Sequence, residues 1–323
     1  MSIELDFVSV RYGDSLAVKG LDLEIASGER FALMGPSGSG KSTLLRAVAG
    51  LEPLEAGRVH IDGADVTGLP AHRRPVGLMF QEYALFPHMS VVENVGYGLA
   101  MIGVDRRTSR EKASALLELA GLAGFADRMP DSLSGGERQR VALLRTLAPE
   151  PSLVMLDEPL GSLDLALRED LLSQMRTIVT ELGATTLYVT HDRTEAFAFA
   201  ERLAIMRDGQ IVRTGTPQQV WDDPQTTFVA RFIGHANVLT GPVIGLDAAA
   251  VTVPPDALRL IDTGDTKVHI IDSVFTDGRY EIAAELANGE RMRVDSPTPT
   301  ARGIEACVMV DRSAVRELVV DDL

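Results

Sequence analysis

The segment from Gly35 to Thr43, Gly-Pro-Ser-Gly-Ser-Gly-Lys-Ser-Thr, places glycines, hydroxyls and one lysine at the spacing of a phosphate-binding loop. The glycines allow successive backbone N–H groups to turn towards an anion, and the helix that follows such a loop adds its positive dipole end. Lys41 supplies a positive charge for the β- and γ-phosphates, and the Ser42 hydroxyl is a ligand for Mg²⁺. The segment therefore predicts nucleoside triphosphate binding.

Two other segments carry groups suited to the same ligand. The residues 133–137, Leu-Ser-Gly-Gly-Glu, put a serine and two glycines at the start of a predicted helix, which makes a second anion site. Asp157 and Glu158 directly follow an apolar run, where Asp157 suits Mg²⁺ and Glu158 can polarise a water molecule. An Asp-Glu pair can also merely cap a helix, but the glycine loop in the same chain disfavours that alternative.

Short apolar strands must hold these segments in place. Phe31–Met34 precedes the glycine loop, Leu153–Leu156 precedes Asp157, and Thr186–Thr190 forms a further run. None of them alternates with polar residues, which is typical of parallel strands buried on both faces. Ligands of such sheets bind at the carboxyl ends of the strands.

The remaining periodicity defines the layers around this sheet. Residues 3–10 and 16–25 alternate between apolar and polar side chains, as half-buried strands do. From about residue 90 to 150 the period shifts to 3.6, notably in residues 109–120, and residues 163–182 are also helical in pattern. We therefore expect an α/β core with a helical insert.

With two phosphate loops and an Asp-Glu pair after a strand, the sequence resembles the ATP-binding subunits of ABC transporters, whose signature loop is Leu-Ser-Gly-Gly-Gln. The resemblance implies a P-loop NTPase fold with an antiparallel β subdomain and a helical insert. It also implies a head-to-tail homodimer, or a pair with a related ATPase subunit, in which each ATP lies between the glycine loop of one subunit and the signature loop of the other. The nucleotide-binding residues in the two loops are Gly35, Ser37, Gly38, Ser39, Gly40, Lys41, Ser42, Thr43, Ser134, Gly135, Gly136 and Glu137.

Other residues match further motifs of that family. Tyr12 matches the aromatic residue that stacks on adenine, Gln81 the glutamine that contacts Mg²⁺ and the attacking water, and His191 the histidine that contacts the γ-phosphate. Residues 162–164, Ser-Leu-Asp, match the loop that links the two sites, and Asp164 is assigned to nucleotide binding. Taken alone, Tyr12 or His191 would more often be structural. The implied catalytic residues are Glu158, His191, Gln81 and Lys41, and the implied Mg²⁺ ligands are Ser42, Gln81 and Asp157.

The implied reaction is in-line attack of water on the γ-phosphorus of ATP, with the water oriented by Glu158. One position departs from the family, because residue 137 is Glu where the signature usually has Gln. A carboxylate there repels phosphate, although it can accept a hydrogen bond from a ribose hydroxyl. We expect activity to survive with weakened ATP affinity or dimer closure.

The composition limits the partners of the chain. Its 323 residues suggest two domains, and its net charge of −15 disfavours nucleic acid as a partner and attachment to anionic lipid by charge alone. The chain has no run of 18 apolar residues, begins with acidic residues, and has a single cysteine, Cys307, which excludes an intrachain disulfide. These features predict a cytoplasmic protein that reaches a membrane only through a protein partner.

The last quarter of the chain has a different pattern. Asp277-Gly278 and Asn288-Gly289 separate alternating runs and are strong hairpin signals. We therefore expect a nucleotide-binding domain at residues 1–235 and a small, barrel-like all-β domain at residues 236–323. The latter resembles the TOBE-like C-terminal domain of importer ATPases.

The aromatic segment Glu82–His88 bears on the membrane partner. It could be a buried corner of the helical insert, but the resemblance implies that it contacts an integral-membrane permease, with an extracytoplasmic solute-binding protein involved indirectly. The chain would then act at the cytoplasmic face of the membrane and power import of a polyamine, ferric iron, thiamine or a quaternary amine. The alternatives are a sugar-importer ATPase and, from another class, a soluble ABC ATPase acting on nucleic acid or ribosomes.

Overall fold

The structure is a computed structural model that describes residues 3–80, 84–161 and 165–321, with the side chains of residues 165–167 outside the description. The chain divides into two compact units, Met1–Pro217 and Gln218–Leu323. None of the helices in the described ranges combines the length and the apolar character needed to cross a membrane.

The first unit contains strands from two sheets together with the helices that connect them. Its strands are β1 Ile3–Tyr12, β2 Ser15–Ile25, β3 Arg30–Met34, β4 Ala56–Ile61, β5 Ala64–Asp65, β6 Val76–Met79, β7 Leu153–Asp157, β8 Thr186–Thr190, β9 Arg202–Arg207 and β10 Gln210–Gly215. Its helices are α1 Lys41–Val48, α2 Val91–Met101, α3 Arg106–Leu119, α4 Gly135–Leu147, α5 Leu165–Glu181 and α6 Arg193–Phe199.

The larger sheet has the strand order β10–β9–β3–β8–β7–β6 and is parallel except for the β9–β10 pair. Every residue of β8 is buried, as expected for a strand covered on both faces. Met34 lies opposite Thr190, and Asp157 lies opposite Val189. The residues that follow β3, β7 and β8 therefore emerge together at one edge of the sheet.

The smaller sheet is antiparallel, in the order β2–β1–β4–β5. Its buried side chains share one hydrophobic core with α1 and the parallel sheet, including Val10, Val18, Leu44 and Leu45. The alternation in residues 3–10 and 16–25 places one face of this sheet on the core. This is the antiparallel subdomain that the sequence predicts.

The helical insert consists of α2, α3 and α4, within the predicted range 90–150. Helix α3 begins earlier than the periodicity from residue 109 indicates, because the Asp105 side chain accepts hydrogen bonds from the backbone N–H groups of Arg107 and Thr108. Helix α2 begins with a capping box formed by Ser90 and Glu93.

The second unit is mostly antiparallel sheet. Its elements are α7 Pro217–Asp222, which begins at the division, α8 Thr227–Ile233, β11 Val238–Leu239, β12 Ala250–Thr252, β13 Leu258–Ile261, β14 Thr266–Thr276, β15 Arg279–Leu286, β16 Arg291–Ser296, β17 Glu305–Val310 and β18 Arg316–Leu318. The sheets have the orders β11–β12–β18 and β13–β17–β14–β15–β16. Asp277 and Gly278 both have positive φ, at 51° and 85°, and form the predicted hairpin turn between β14 and β15.

The units separate between residues 217 and 218, earlier than the predicted boundary between 235 and 236. The reason lies in α8, whose first residue, Thr227, donates its backbone N–H to Val319 O at 3.0 Å, while the Phe228 N–H donates to Asp321 Oδ2. These bonds attach the helical segment to the end of the chain. The functional domains 1–235 and 236–323 stay a prediction.

Candidate nucleotide-binding and catalytic site

The glycine loop connects the end of β3 to the start of α1 in a conformation that requires glycine. Gly40 caps α1 with a φ of 103°, and a Cβ atom there would lie 2.3 Å from the Ala17 carbonyl oxygen. A Cβ atom on Gly35 would lie 2.2 Å from the Met206 carbonyl oxygen. The loop backbone is thus packed closely against its neighbours on one side.

Lys41 and Ser39 point into this loop. Lys41 is 5% exposed, and its Nζ donates to the carbonyl oxygens of Gly35, at 2.7 Å, and Pro36, at 2.9 Å. Burial lowers the pKa of Lys41, and the nearby carboxylates of Glu158 and Asp157 oppose that effect. The Ser39 hydroxyl is buried and has no hydrogen-bond partner within the described ranges. A buried cation beside an unpaired hydroxyl fits the phosphates of a nucleotide.

Ser42 and Asp157 come together as a pair of oxygen ligands. The Ser42 hydroxyl donates to Asp157 Oδ1 at 3.1 Å, which joins α1 to the end of β7. Burial raises the pKa of Asp157, the bond from Ser42 lowers it, and the adjacent Glu158 raises it further. A serine hydroxyl and one carboxylate fit Mg²⁺, which usually takes one or two protein ligands and completes its shell with phosphate oxygens and water.

Glu158 and His191 follow the neighbouring strands β7 and β8 and contact each other. His191 Nδ1 lies 3.1 Å from Glu158 Oε1, and the two side chains are 56% and 26% exposed. Glu158 has a φ of 45°, which is unusual for a residue with a side chain. Backbone strain of this kind concentrates at functional sites, and the pair lies at the sheet edge from which the glycine loop also begins.

Tyr12 lies at the end of β1 beside the start of α1. Tyr12 is 45% exposed, and its hydroxyl faces Glu52 and Thr43. Burial of the hydroxyl raises the pKa of Tyr12, and the Glu52 carboxylate adds to the increase. An exposed ring next to the glycine loop is suitably placed to stack on a base.

The second loop begins α4 with a capping box. The Ser134 backbone N–H donates to Glu137 Oε2 at 2.7 Å, and the Glu137 N–H donates to Ser134 Oγ at 3.3 Å. These bonds lower the pKa of Glu137. The Ser-x-x-Glu spacing in the sequence is typical of such a cap. The cap explains how a glutamate is accommodated at position 137.

Two of the predicted site residues, Gln81 and Asp164, lie outside the described residues, together with Ser162. Across the ranges that are described, no hydrogen bond joins the loop at residues 134–137 to the loop at residues 35–43. The other predicted residues are thus found in two separate groups, one around the glycine loop and one at the start of α4.

A family model described as ABC transporter matches residues 18–161. The Fe(3+) ions import ATP-binding protein FbpC of Streptomyces coelicolor is 51% identical over 259 residues, 79% of this chain and 74% of that protein. The chain belongs to the ABC transporter family. The sulfate/thiosulfate import ATP-binding protein CysA of Caulobacter vibrioides is 48% identical, over 94% of this chain and 92% of its own length. The spermidine/putrescine import ATP-binding protein PotA of Roseobacter denitrificans is 43% identical, over 80% and 74%.

A solved structure gives the same result for the fold. The dimeric post-hydrolysis state of an ATP-binding cassette bound to ADP and Pi is 33% identical, with a TM-score of 0.57 over 67% of this chain and 98% of that chain. The predicted fold class is confirmed. The chain is an importer-type ABC ATPase, an ATP-binding subunit whose hydrolysis of ATP is coupled to transport.

In this ABC subunit, the segment after Gln81 is anchored from two helices. Asn94 of α2 is fully buried, accepts from the Phe86 N–H at 2.8 Å and donates to the carbonyl oxygens of Phe86, Met89 and Ser90. Arg145 of α4 donates to the Ala84 carbonyl oxygen at 2.7 Å. Residues 84–90, which we call the anchored loop, are therefore held in one conformation. The sequence did not identify Asn94, since its partners are backbone groups.

Beside the anchored loop lies a groove of about 450 Å³ between α2 and α3, partly lined by His88, Met89, Val92, Tyr97 and Ala100. The Tyr97 ring packs on Phe86, with the ring centroids 4.5 Å apart. Of the segment Glu82–His88, Glu82 and Tyr83 lie outside the described residues, whereas Pro87 and His88 are exposed rather than buried.

A buried carboxylate, Glu195, stabilises the segment that follows β8. It accepts hydrogen bonds from the Tyr188 hydroxyl at 3.0 Å and the Thr190 hydroxyl at 2.7 Å. Burial raises the pKa of Glu195. Asp192, directly after His191, caps α6 and pairs with Arg168 of α5 at 3.3 Å. These groups fix the backbone on both sides of His191.

Proposed function

We propose that this subunit hydrolyses ATP at two composite sites in a homodimer and thereby powers import of a small ion through a membrane permease. The observation that carries the proposal is the Glu158–His191 pair, at 3.1 Å, beside a glycine loop that contains a buried lysine. A carboxylate and a histidine at the carboxyl edge of the sheet are the groups needed to orient a water molecule towards a bound γ-phosphate.

In the proposed mechanism each described residue has a separate task. The glycine loop and the N-terminus of α1 hold the phosphates, and the Lys41 ammonium neutralises charge that develops on them. Glu158 accepts a hydrogen bond from the attacking water and keeps it in line with the leaving oxygen, and His191 contacts the γ-phosphate. Ser42 and Asp157 would hold Mg²⁺, which supplies charge neutralisation on the phosphate oxygens. Gln81 is assigned to the same water and metal.

The position of the signature loop supports the proposed dimer. Ser134 is exposed, and within the described ranges no hydrogen bond joins the N-terminus of α4 to the glycine loop of its own chain. We propose that residues 134–137 complete the ATP site of a second copy, and that Asp164 lies between the two sites. Hydrolysis then requires closure of the dimer.

The test replaces Glu158 by glutamine, which preserves the shape and removes the acceptor charge. Glu158→Gln is expected to bind ATP, to dimerise in its presence, and to lose about a hundredfold or more in kcat. Glu118→Gln, on the exposed side of α3, is the matched control with wild-type turnover. Wild-type turnover in Glu158→Gln would refute the assignment.

We propose that the anchored loop and the adjacent groove receive the permease, which would bring the subunit to the cytoplasmic face of the membrane. The exposed Pro87 and His88 support this, as do the apolar side chains of the groove, which is also lined by Glu93, Arg106 and Arg110. Purification from detergent extracts is expected to recover an integral-membrane partner, and recovery of ribosomes or DNA instead would favour a soluble ABC ATPase. The net charge of −15 argues against the latter.

For the solute we propose ferric iron, delivered by an extracytoplasmic binding protein. The relative at 51% identity is named for Fe(3+) import, whereas those at 48% and 43% are named for sulfate/thiosulfate and spermidine/putrescine import. Uptake into liposomes that contain the subunit, its permease and its binding protein would be measured with each of these solutes and with thiamine, a quaternary amine and a sugar. ATP-dependent accumulation of any solute other than iron would refute the choice of solute, and export would refute the direction.

A further inference from the structure

Gln139 is a fully buried polar residue in the second turn of α4, the helix that begins at the signature loop. Its Nε2 donates to the carbonyl oxygen of Pro159 at 2.5 Å and contacts Met175 Sδ of α5 at 3.6 Å. A carbonyl oxygen only accepts hydrogen bonds, so the Pro159 contact fixes which end of the amide faces the turn. Gln139 therefore joins the signature helix to the residue that follows Glu158.

The turn after β7 needs such support. Glu158 has a φ of 45°, and a residue in this conformation persists only when its surroundings hold it there. The Glu158 N–H donates to Val189 O at 2.9 Å, and the Gly161 N–H donates to Glu158 O at 3.2 Å. Gln139 adds a side-chain donor from a different element, directly beside the strained residue.

The two ends of the Gln139 amide differ in their surroundings. Its Oε1 is buried and has no hydrogen-bond partner in the described parts of the chain. An unpaired buried acceptor is destabilising, and an apolar side chain of similar length would avoid it. The hydrogen bond to Pro159 is therefore what the amide contributes here and an apolar side chain would not.

We propose that Gln139 is a positioning residue for hydrolysis. Its hydrogen bond to Pro159 fixes the turn that aims the Glu158 carboxylate at the attacking water, and it links that turn to the signature loop on the same helix. The inference rests on the role proposed for Glu158.

The test uses Gln139→Met, which keeps the length of the side chain and removes the donor. Because the glycine loop is untouched, we expect kcat to fall by about tenfold to a hundredfold while the KM for ATP changes by less than about twofold. Thr146→Val is the matched control. Thr146 is buried on the same helix and its hydroxyl donates to the Ala142 carbonyl oxygen within that helix, so kcat should not change. A rise in KM with unchanged kcat would overturn the proposal.

A double variant separates positioning from packing. If Gln139 acts through Glu158, Gln139→Met should cause no further loss in a Glu158→Gln background. An equal additional loss there would overturn the proposal. If Glu158→Gln is inactive but Gln139→Met has wild-type turnover, only the inference about Gln139 is refuted. If Glu158→Gln itself has wild-type turnover, the proposed function is refuted.

Gln139→Glu gives a second measurement that does not depend on Gln139→Met folding. Ionised, the new carboxylate cannot donate to Pro159; protonated, it can. Burial raises the pKa of a carboxyl group, so the kcat of Gln139→Glu relative to wild type should rise as pH falls from about 8 to about 6. A ratio that stays constant across this range would count against the proposal.

Discussion

Replacing Asn94 by alanine should separate the permease from ATP hydrolysis. Asn94 is fully buried on α2 and makes four hydrogen bonds to the backbone of the anchored loop, at 2.8 to 3.1 Å. Alanine supplies none of them, and it removes the groups that hold Phe86 and Met89 next to the helix. We therefore expect the anchored loop to lose its fixed conformation while the glycine loop keeps its own.

The size of the effect follows from the number of bonds. The Asn94 amide has two N–H groups, which three carbonyl oxygens share, and one oxygen, which accepts from the Phe86 N–H. The substitution therefore removes about three full hydrogen bonds. At about 1 kcal/mol each, the free energy of unfolding of the first unit should fall by about 2–4 kcal/mol. Asn94→Asp keeps the acceptor for the Phe86 N–H but places a carboxylate against three carbonyl oxygens, so it should be at least as destabilising.

Two assays decide the matter, urea unfolding and ATP turnover with and without the permease. Asn94→Ala should keep its basal turnover and lose most of its stimulation by the permease. Asn237→Ala is the control, because Asn237 is also fully buried and makes three hydrogen bonds to backbone groups, but in the second unit. It should lose comparable stability and keep the stimulation. Stability within about 0.5 kcal/mol of wild type in Asn94→Ala, or full stimulation, would refute the reasoning.

Three further predictions concern the ATP site and its support. Gly40→Ala should abolish ATP binding in a fluorescent-nucleotide titration, because its Cβ would lie 2.3 Å from the Ala17 carbonyl oxygen. Gly68→Ala is the control and should bind normally, because a Cβ there has no atom within 4 Å. Glu137→Gln keeps the capping box and removes a charge that would face the nucleotide in the proposed dimer. The KM for ATP should therefore fall by about fivefold, and an increase would contradict this. Burial raises the pKa of Glu195 above 4.5, so the folded state binds a proton more tightly than the unfolded state does. The wild-type protein should therefore lose stability as pH rises from 4.5 through the raised pKa. Glu195→Gln should lack this pH-dependent part of the stability. If urea unfolding gives the same slope of stability against pH for both proteins, the contribution of Glu195 is excluded.

The sequence predicts the elements whose pattern is local. Apolar runs locate β3, β7 and β8, and the Asp277-Gly278 dipeptide locates a hairpin, because burial and turn geometry act on neighbouring residues. The strand pattern alone supports the proposal for Glu158, which lies beside Asp157 at the end of such a strand. The proposal for His191 rests on the resemblance to ABC ATPases, and both roles stay predictions. Gln139 and Asn94 could not be assigned from the sequence, since their partners are backbone groups that packing brings close from elsewhere in the chain. The short helix α8 has too few residues to show periodicity, and its attachment to the end of the chain is visible only in the structure.

Helix α4 explains why these contacts belong together. Its 13 residues form a rod of about 20 Å, with Ser134 and Glu137 at the start, Gln139 bonded to the turn after β7, and Arg145 bonded to Ala84 of the anchored loop. A helix does not stretch, so a shift at one of these contacts must move the others or break a hydrogen bond. Contacts alone do not establish coupling, which requires two arrangements with different affinities for the ligands. Opening and closure of the proposed dimer would supply them, because in that dimer the start of α4 would touch the nucleotide only in the closed arrangement.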